Sequence, residues 1–146
     1  MDFSSNRIAQ DVAQIFQNMP PTLEKSNLSN NTIEGILPKE FPMKKALFFF
    51  MSNNRMSGPL PYFTNTSPKL KHLDLANNDL TGTIHGSFVR LDGLNVLDLS
   101  GNKLSGSIPA SLGDLSQLNI LKLSSNSLSH SIPVKLGRLK GKCVCH

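Results

Sequence analysis

Tryptophan is absent from the 146 residues, tyrosine occurs once, and aromatic residues make up only 6% of the chain. With 38% apolar residues, the sequence is thin for one conventional globular core, yet too apolar for a disordered chain. Long hydrophobic runs are also missing. The longest is Ala46-Leu47-Phe48-Phe49-Phe50-Met51, far short of the roughly 20 apolar residues that span a bilayer, so no transmembrane span is expected. The start, Met1-Asp2-Phe3-Ser4-Ser5-Asn6, has neither the basic segment nor the apolar stretch of a signal peptide. The net charge is +5, but the basic residues are scattered apart from a sparse group at Lys135, Arg138, Lys140 and Lys142. A nucleic-acid surface calls for a continuous basic stripe, so no nucleic-acid partner is expected. The two cysteines, Cys143 and Cys145, say little about redox environment.

What the chain has in abundance is Leu, Ser and Asn, which supply 54 residues. Ser and Asn fill helices and strands poorly, which argues against a helix bundle or an ordinary β-sandwich. Their placement is periodic. Asn recurs at 6, 31, 54, 78, 102 and 126, with spacings of 25, 23, 24, 24 and 24. Three residues before each lies Phe3, Leu28, Met51, Leu75, Leu99 or Leu123; two after lies Ile8, Ile33, Met56, Leu80, Leu104 or Leu128. Six after lies Val12, Leu37, Leu60, Ile84, Ile108 or Ile132. Gly follows four residues on at 35, 58, 82 and 106, and Pro seven on at 38, 61, 109 and 133. A fixed period of this length marks a chain built from stacked repeats.

Physical chemistry explains the pattern. In a segment such as Leu97-Asp98-Leu99, alternation puts both leucines on one face of a short strand. One coil alone cannot bury them; stacked coils of equal length bury them against each other in a continuous core, with successive strands side by side in parallel. The Asn falls where the chain turns off the strand and into the core. Backbone groups there need partners, and an amide both donates and accepts. A structural ladder of Asn6, Asn31, Asn54, Asn78, Asn102 and Asn126 is therefore expected.

Three units carry the motif almost unchanged: Leu73-Asp74-Leu75-Ala76-Asn77-Asn78-Asp79-Leu80, Leu97-Asp98-Leu99-Ser100-Gly101-Asn102-Lys103-Leu104 and Leu121-Lys122-Leu123-Ser124-Ser125-Asn126-Ser127-Leu128. This is the L-x-x-L-x-L-x-x-N-x-L pattern of leucine-rich repeats. The continuation Leu104-Ser105-Gly106-Ser107-Ile108-Pro109 resembles the plant extracellular subtype. The resemblance covers residues 1–140. It implies an α/β-type solenoid: a right-handed leucine-rich-repeat superhelix with a parallel β-sheet on its concave face and an irregular or short-helical convex side. Six repeats are expected, at about 1–22, 23–45, 46–69, 70–93, 94–117 and 118–140, followed by a disordered tail at 141–146.

Some units depart from the pattern. The first has Gln10 and Ala13 where Gly and Pro belong, the second has Ser26 in place of Leu, the third lacks an apolar residue at Thr64, and the sixth has His130 for Gly. The first three coils are accordingly expected to be looser than the last three. Ile8, Val12, Ile15, Phe16 and Met19 also fit a helical period, although a convex-side turn is the favoured reading there. The cysteine-containing end caps usual in the plant family have no match, and Cys143-Val144-Cys145-His146 falls short of the about four ligands of a zinc site. The expectation is a piece of a longer receptor-type array, with no metal and no cofactor.

Repeat arrays bind partners through exposed residues of the concave sheet. In-phase positions place Phe48, His72, Val96 and Ile120 in one column and Phe50, Asp74, Asp98 and Lys122 in another; these eight are the candidate partner-binding residues. Phe48 and Phe50 flank Phe49, which should be buried. Two aromatics beside His72 and Asp74 resemble an interaction hot spot, whereas drift in a degenerate repeat is the plainer reading. Asp74 and Asp98 should lie roughly 5 Å apart on neighbouring strands. Asp is common there in such repeats, however, so neither a cation site nor paired acid–base chemistry is expected. There is no phosphate loop, Cys–His pair, kinase signature or oxyanion site, so no catalytic residue is nominated. Three Asn-x-Ser/Thr sequons, at Asn27, Asn30 and Asn65, are candidate glycosylation sites on a secreted chain.

The resemblance implies a non-catalytic protein or peptide recognition module of a plant receptor-like protein or kinase ectodomain, in signalling or defence. Its partners would be a protein or peptide ligand and a co-receptor ectodomain, and its home extracellular or at the plasma membrane. The alternative is a secreted inhibitor of a cell-wall hydrolase, similar to polygalacturonase-inhibiting proteins.

Overall fold

The computed structural model describes residues 1–41, 44–64 and 69–139, together with the backbone of 142–144. Every strand is short. In chain order they are β1 (Lys25–Asn27), β2 (Glu34–Ile36), β3 (Phe48–Phe50), β4 (Arg55–Pro59), β5 (His72–Asp74), β6 (Asp79–Thr81), β7 (Val96–Asp98), β8 (Ser105–Ser107), β9 (Ile120–Lys122), β10 (Ser127–Ser129) and β11 (Lys142–Val144). The odd-numbered strands form one six-stranded sheet in the order β1-β3-β5-β7-β9-β11, every pair parallel. An isolated parallel bridge from Asp2 to Asn27 carries the pattern back into the first coil. The chain is thus a parallel-strand solenoid, one sheet strand per turn.

Alternation decides what is buried. The central residues Phe49, Leu73, Leu97 and Leu121 lie in register on adjacent strands and face the core. Leu28, Met51, Leu75, Leu99 and Leu123 join them one step further on, all buried. The six-after column is buried at Val12, Leu37, Leu60, Ile84 and Ile108. Ile132 breaks the column at 58% exposed, because none of the described residues packs across it from a following coil.

The Asn ladder forms. The Nδ2 group of Asn102 donates to the carbonyls of Leu99 and Ser100 in its own coil and of Leu75 in the coil before. Its Oδ1 accepts the N–H of Leu80 at 3.1 Å. Asn31, Asn54, Asn78 and Asn126 repeat the scheme, their oxygens taking the N–H groups of Ile8, Ile33, Met56 and Leu104. Asn6 departs from expectation: it is exposed, and its Nδ2 reaches only the carbonyls of Phe3 and Ser4 in its own coil. The reason is geometric, since the rung bonds backwards and no described coil precedes the first.

A second set of parallel strands runs along the side of the solenoid, which periodicity alone had not indicated: β2-β4-β6 and β8-β10. The column of Gly35, Gly58, Gly82 and Gly106 lies here with φ between +78° and +95° at Gly82 and Gly35, and +77° at Gly58 and Gly106. At Gly58 a Cβ would also come within 2.8 Å of the Ile36 side chain, so both backbone conformation and close approach require glycine.

The outer side is short-helical. 3-10 helices occupy Gly86–Arg90, Ala110–Asp114 and Val134–Arg138. In the first coil the helical period wins over the favoured turn. An α-helix, α1, covers Val12–Asn18. Asp11 caps it by accepting the Ala13 N–H, while Val12, Ile15 and Phe16 pack inward. Where Thr64 left a gap in the apolar pattern, Phe63 is wholly buried instead. It joins a chain of aromatic contacts: Phe16 to Phe41 at 6.2 Å, Phe41 to Phe63 at 5.4 Å and Phe63 to Phe88 at 4.7 Å between ring centroids. The third coil is therefore filled in its core. The second is not so well matched: Ser26 occupies the inward position equivalent to Phe49, and its buried hydroxyl has no hydrogen-bond partner.

One expectation needs correcting. Against the expectation of a disordered tail at 141–146, Lys142–Val144 forms β11, with Cys143 opposite Leu121 in the ladder. Equal repeat length brings this segment beside β9, and backbone pairing does not depend on the missing consensus leucines. The side chains of Cys143, Cys145 and His146 lie outside the described residues.

Candidate partner-binding face

The outward-facing residues of the six-stranded sheet fall into the two columns expected. Lys25, Phe48, His72, Val96 and Ile120 align through the ladder register, and so do Asn27, Phe50, Asp74, Asp98 and Lys122. Phe48, Phe50, His72, Asp74 and Val96 are half-buried, Ile120 and Lys122 exposed, and Asp98 only 8% exposed. Phe49, between the two exposed-side aromatics, is fully buried.

The columns differ in chemistry. Phe48, His72 and Val96 form a mainly apolar stripe beside a depression of about 330 Å³, whose rim includes Lys71, Asn95 and Gln117. The Lys25 ammonium lies 5.2 Å from the centre of the Phe48 ring, a cation–π distance. Phe50 meets His72 edge-to-face at 4.6 Å, linking the two columns. The second stripe is charged, and Lys122 Nζ pairs with Asp98 Oδ2 at 3.0 Å.

A structural reason places Asp or Asn at this position. Each carboxylate or amide caps the turn that follows its strand. Asp2 accepts the N–H and Oγ–H of Ser4, Asn27 the N–H of Ser29, Asp74 the N–H of Ala76, and Asp98 the N–H and Oγ–H of Ser100. This is the Asx-turn geometry, which ties a polar side chain to the backbone two residues on. It accounts for the paired aspartates without a cation between them.

Burial shifts the titration of His72 on this face. Desolvation by burial holds its imidazole below the ordinary value; the nearby carboxylates of Asp74 and Asp98 act in the opposite sense, and Lys122 adds to the lowering.

Another polar pair lies on the outer side. Ser87 Oγ is 2.6 Å from His85 Nδ1 and accepts the Phe63 N–H, while His85 Nε2 faces the Leu60 carbonyl. His85 also stacks on Tyr62, 4.2 Å between ring centroids. The imidazole is turned to a backbone carbonyl rather than to an orienting carboxylate, so the pair ties turns together instead of forming a catalytic triad. Of the sequons, Asn27 sits half-buried on the sheet with its oxygen engaged, Asn30 is exposed at a turn, and Asn65 lies outside the described residues. Among the described residues, no helix is long and apolar enough to cross a membrane.

Parallel one-strand coils, leucines inward and an amide ladder at each turn define the class of a leucine-rich-repeat solenoid. Residues 68–133 match the family model described as leucine rich repeat, and the described residues share that solenoid fold. Among curated proteins it is 38% identical to receptor-like protein 18 of Arabidopsis thaliana, over 66% of this chain and 14% of the relative. It is 36% identical to MDIS1-interacting receptor like kinase 1 of the same plant, over 63% of this chain and 8% of that protein. The chain therefore spans only a small part of the length of the curated relatives it matches.

Two solved ectodomains superpose closely. One is that of the Arabidopsis thaliana membrane receptor kinase GASSHO1/SCHENGEN3, in complex with CASPARIAN STRIP INTEGRITY FACTOR 2. Its TM-score is 0.84 at 35% identity, covering 94% of this chain and 16% of that one. The other is the Arabidopsis receptor kinase HAESA, in complex with the peptide hormone IDA and the co-receptor SERK1. Its TM-score is 0.88 at 31% identity, covering 98% of this chain and 24% of that one.

Proposed function

We propose that this chain is a non-catalytic recognition module that binds a peptide or protein ligand on the outward face of its six-stranded sheet. It would act as part of an extracellular, receptor-type array at the plant cell surface, in signalling or defence, with a co-receptor ectodomain as a further partner. The observation that carries this reading is the stacking of Phe48, His72, Val96 and Ile120 alongside Phe50, Asp74, Asp98 and Lys122 on one open face. Side chains held on strands form a rigid surface, so a ligand docks with little ordering of the protein. Half-buried aromatics on it are the residue type that dominates binding energy at interfaces. The relatives support it: the HAESA ectodomain carries a peptide hormone and a co-receptor. On an exported chain, Asn30 and Asn65 are the sequons offered for glycans, and a glycan on Asn27 would crowd the first strands of the binding face.

The test is to pan a random heptapeptide phage library on the immobilised chain, then to measure the selected peptides against the Phe48→Ser/Phe50→Ser double variant. Loss of binding with an unchanged far-UV circular dichroism spectrum supports the reading. Unchanged binding by a folded variant removes this face from the site.

A further inference from the structure

The second column of the binding face shows how this sheet holds a cation. Asp98 turns one carboxylate oxygen, Oδ1, to the N–H and hydroxyl of Ser100, and the other, Oδ2, to the Lys122 ammonium one strand away. Asp74 sits in the same column one strand earlier, with a different environment. Ala76 stands where Ser100 stands, so Asp74 Oδ1 receives a backbone N–H but no hydroxyl. Its neighbours in register are Phe50 and Asp98. Neither supplies a cation, and the ammonium of Lys122 in the same column is already engaged by Asp98. Asp74 thus has no ion-pair partner among the described residues, with Phe50 and Asp98 beside it in register and the strands about 5 Å apart.

Resting on the binding reading above, we infer that Asp74 is the seat for a basic side chain of the bound peptide, held as Lys122 is held by Asp98. A guanidinium or ammonium there meets a carboxylate on one side and an aromatic ring on the other, the two groups that attract cations most strongly. It also relieves the repulsion between Asp74 and Asp98. The apolar column supplies a second requirement. The depression beside Phe48, His72 and Val96 lies one column over, two residues along the strands. That offset is about 6.6 Å, which matches the separation of alternate side chains in an extended peptide. The ligand class is therefore a peptide carrying Lys or Arg two positions from an apolar residue.

The phage selection is repeated on the parent chain and on Asp74→Asn, which keeps the oxygen that accepts the Ala76 N–H and so keeps the turn. The expected result is enrichment of Lys or Arg in the parent selection, lost in the Asp74→Asn selection. Synthetic copies of the selected peptides should bind Asp74→Asn about tenfold more weakly, the loss of one charge-assisted hydrogen bond. Copies with citrulline for arginine should bind the parent chain more weakly by a similar factor. Selected peptides without basic residues, or basic peptides that bind Asp74→Asn equally well, overturn this inference while Phe48→Ser/Phe50→Ser still abolishes binding. If that double variant also binds unchanged, the site itself is wrong; if no peptide is enriched, both readings fail.

Discussion

The Nδ2 group of Asn102 donates to the carbonyl of Leu75, 27 positions earlier in the chain, at 3.0 Å. Through that bond each coil is fixed to the one before it, and Oδ1 returns a second link by accepting the Leu80 N–H. The bonds to the backbone groups of Leu75, Leu80 and Leu99 are buried. Asn102→Ala strands several of these groups at once, and each unsatisfied buried group costs about 1–3 kcal/mol. The expected loss is about 3 kcal/mol or more, read as a fall in the urea unfolding midpoint. Asn6→Ala provides the contrast: it is exposed and bonds only within its own coil, so its loss should stay below about 1 kcal/mol. Equal losses at the two positions would show that the inter-coil bonds do not carry the stack.

The sixth coil has His130 at φ +69°, in the column where Gly35, Gly58, Gly82 and Gly106 adopt the left-handed region. A side chain there is strained, and His130 gains only an exposed contact with Ser129 Oγ in return. His130→Gly should raise stability by about 1 kcal/mol. Gly106→Ala should lower it by a similar or larger amount, since its Cβ would also approach the Thr83 methyl at 3.0 Å. Differential scanning calorimetry of the two variants checks the sign of each change.

His72 makes stability depend on pH in a defined direction. Its folded-state value lies below the ordinary 6.5, chiefly because burial disfavours the imidazolium, with Asp74 and Asp98 partly offsetting this and Lys122 reinforcing it. The unfolded chain therefore takes up the proton first as pH falls. The stability that neutral His72 contributes is fully present above the unfolded value and declines as pH drops through it toward the folded value. In a proton NMR titration the His72 ring should show a midpoint below 6.5. The His72→Gln variant should lose part of the destabilisation between about pH 7 and pH 5. A midpoint above 6.5 would mean that the carboxylates outweigh burial.

The solenoid was legible because its determinants are periodic. Apolar residues three before and two after each Asn, and the Asn itself, recur in every coil, and after the first coil the structure packs or bonds them as the spacing requires. The two face columns were legible for the same reason, since register follows from equal repeat length. What was not legible depended on single residues breaking the pattern. Phe63 fills the space left by Thr64 from one position earlier, a shift that a fixed phase cannot show. The side strands β2, β4, β6, β8 and β10 form through backbone bonds, with Gly58 and its equivalents supplying the conformation, and leave little trace in hydrophobic patterning. Ser5, Asn30, Asn53, Asn77 and Ser125, each just before a ladder Asn, all take positive φ, with Gly101 in the same place. Asn, Ser and Gly at one repeated position were the available signal. β11 arises from position beside β9 rather than from its own sequence.

Ser26 marks the weakest inward position of the sheet. It faces the core in register with Phe49, is 2% exposed, and its hydroxyl is the buried side-chain polar atom without a partner among the described residues. Val adds one heavy atom to the Ser side chain, suits a strand and carries no donor or acceptor. Ser26→Val should therefore remove a desolvation penalty and add apolar contact, raising stability by about 1 kcal/mol. Ser29 is the control. It is also buried, but its Oγ accepts a hydrogen bond from Ser52 Oγ at 3.1 Å. Ser29→Val leaves that donor stranded and should lower stability by about 1–3 kcal/mol. Opposite signs from the same substitution in one coil, measured by urea unfolding, would tie the difference to hydrogen bonding rather than to side-chain size. Stabilisation by both would sink that assignment.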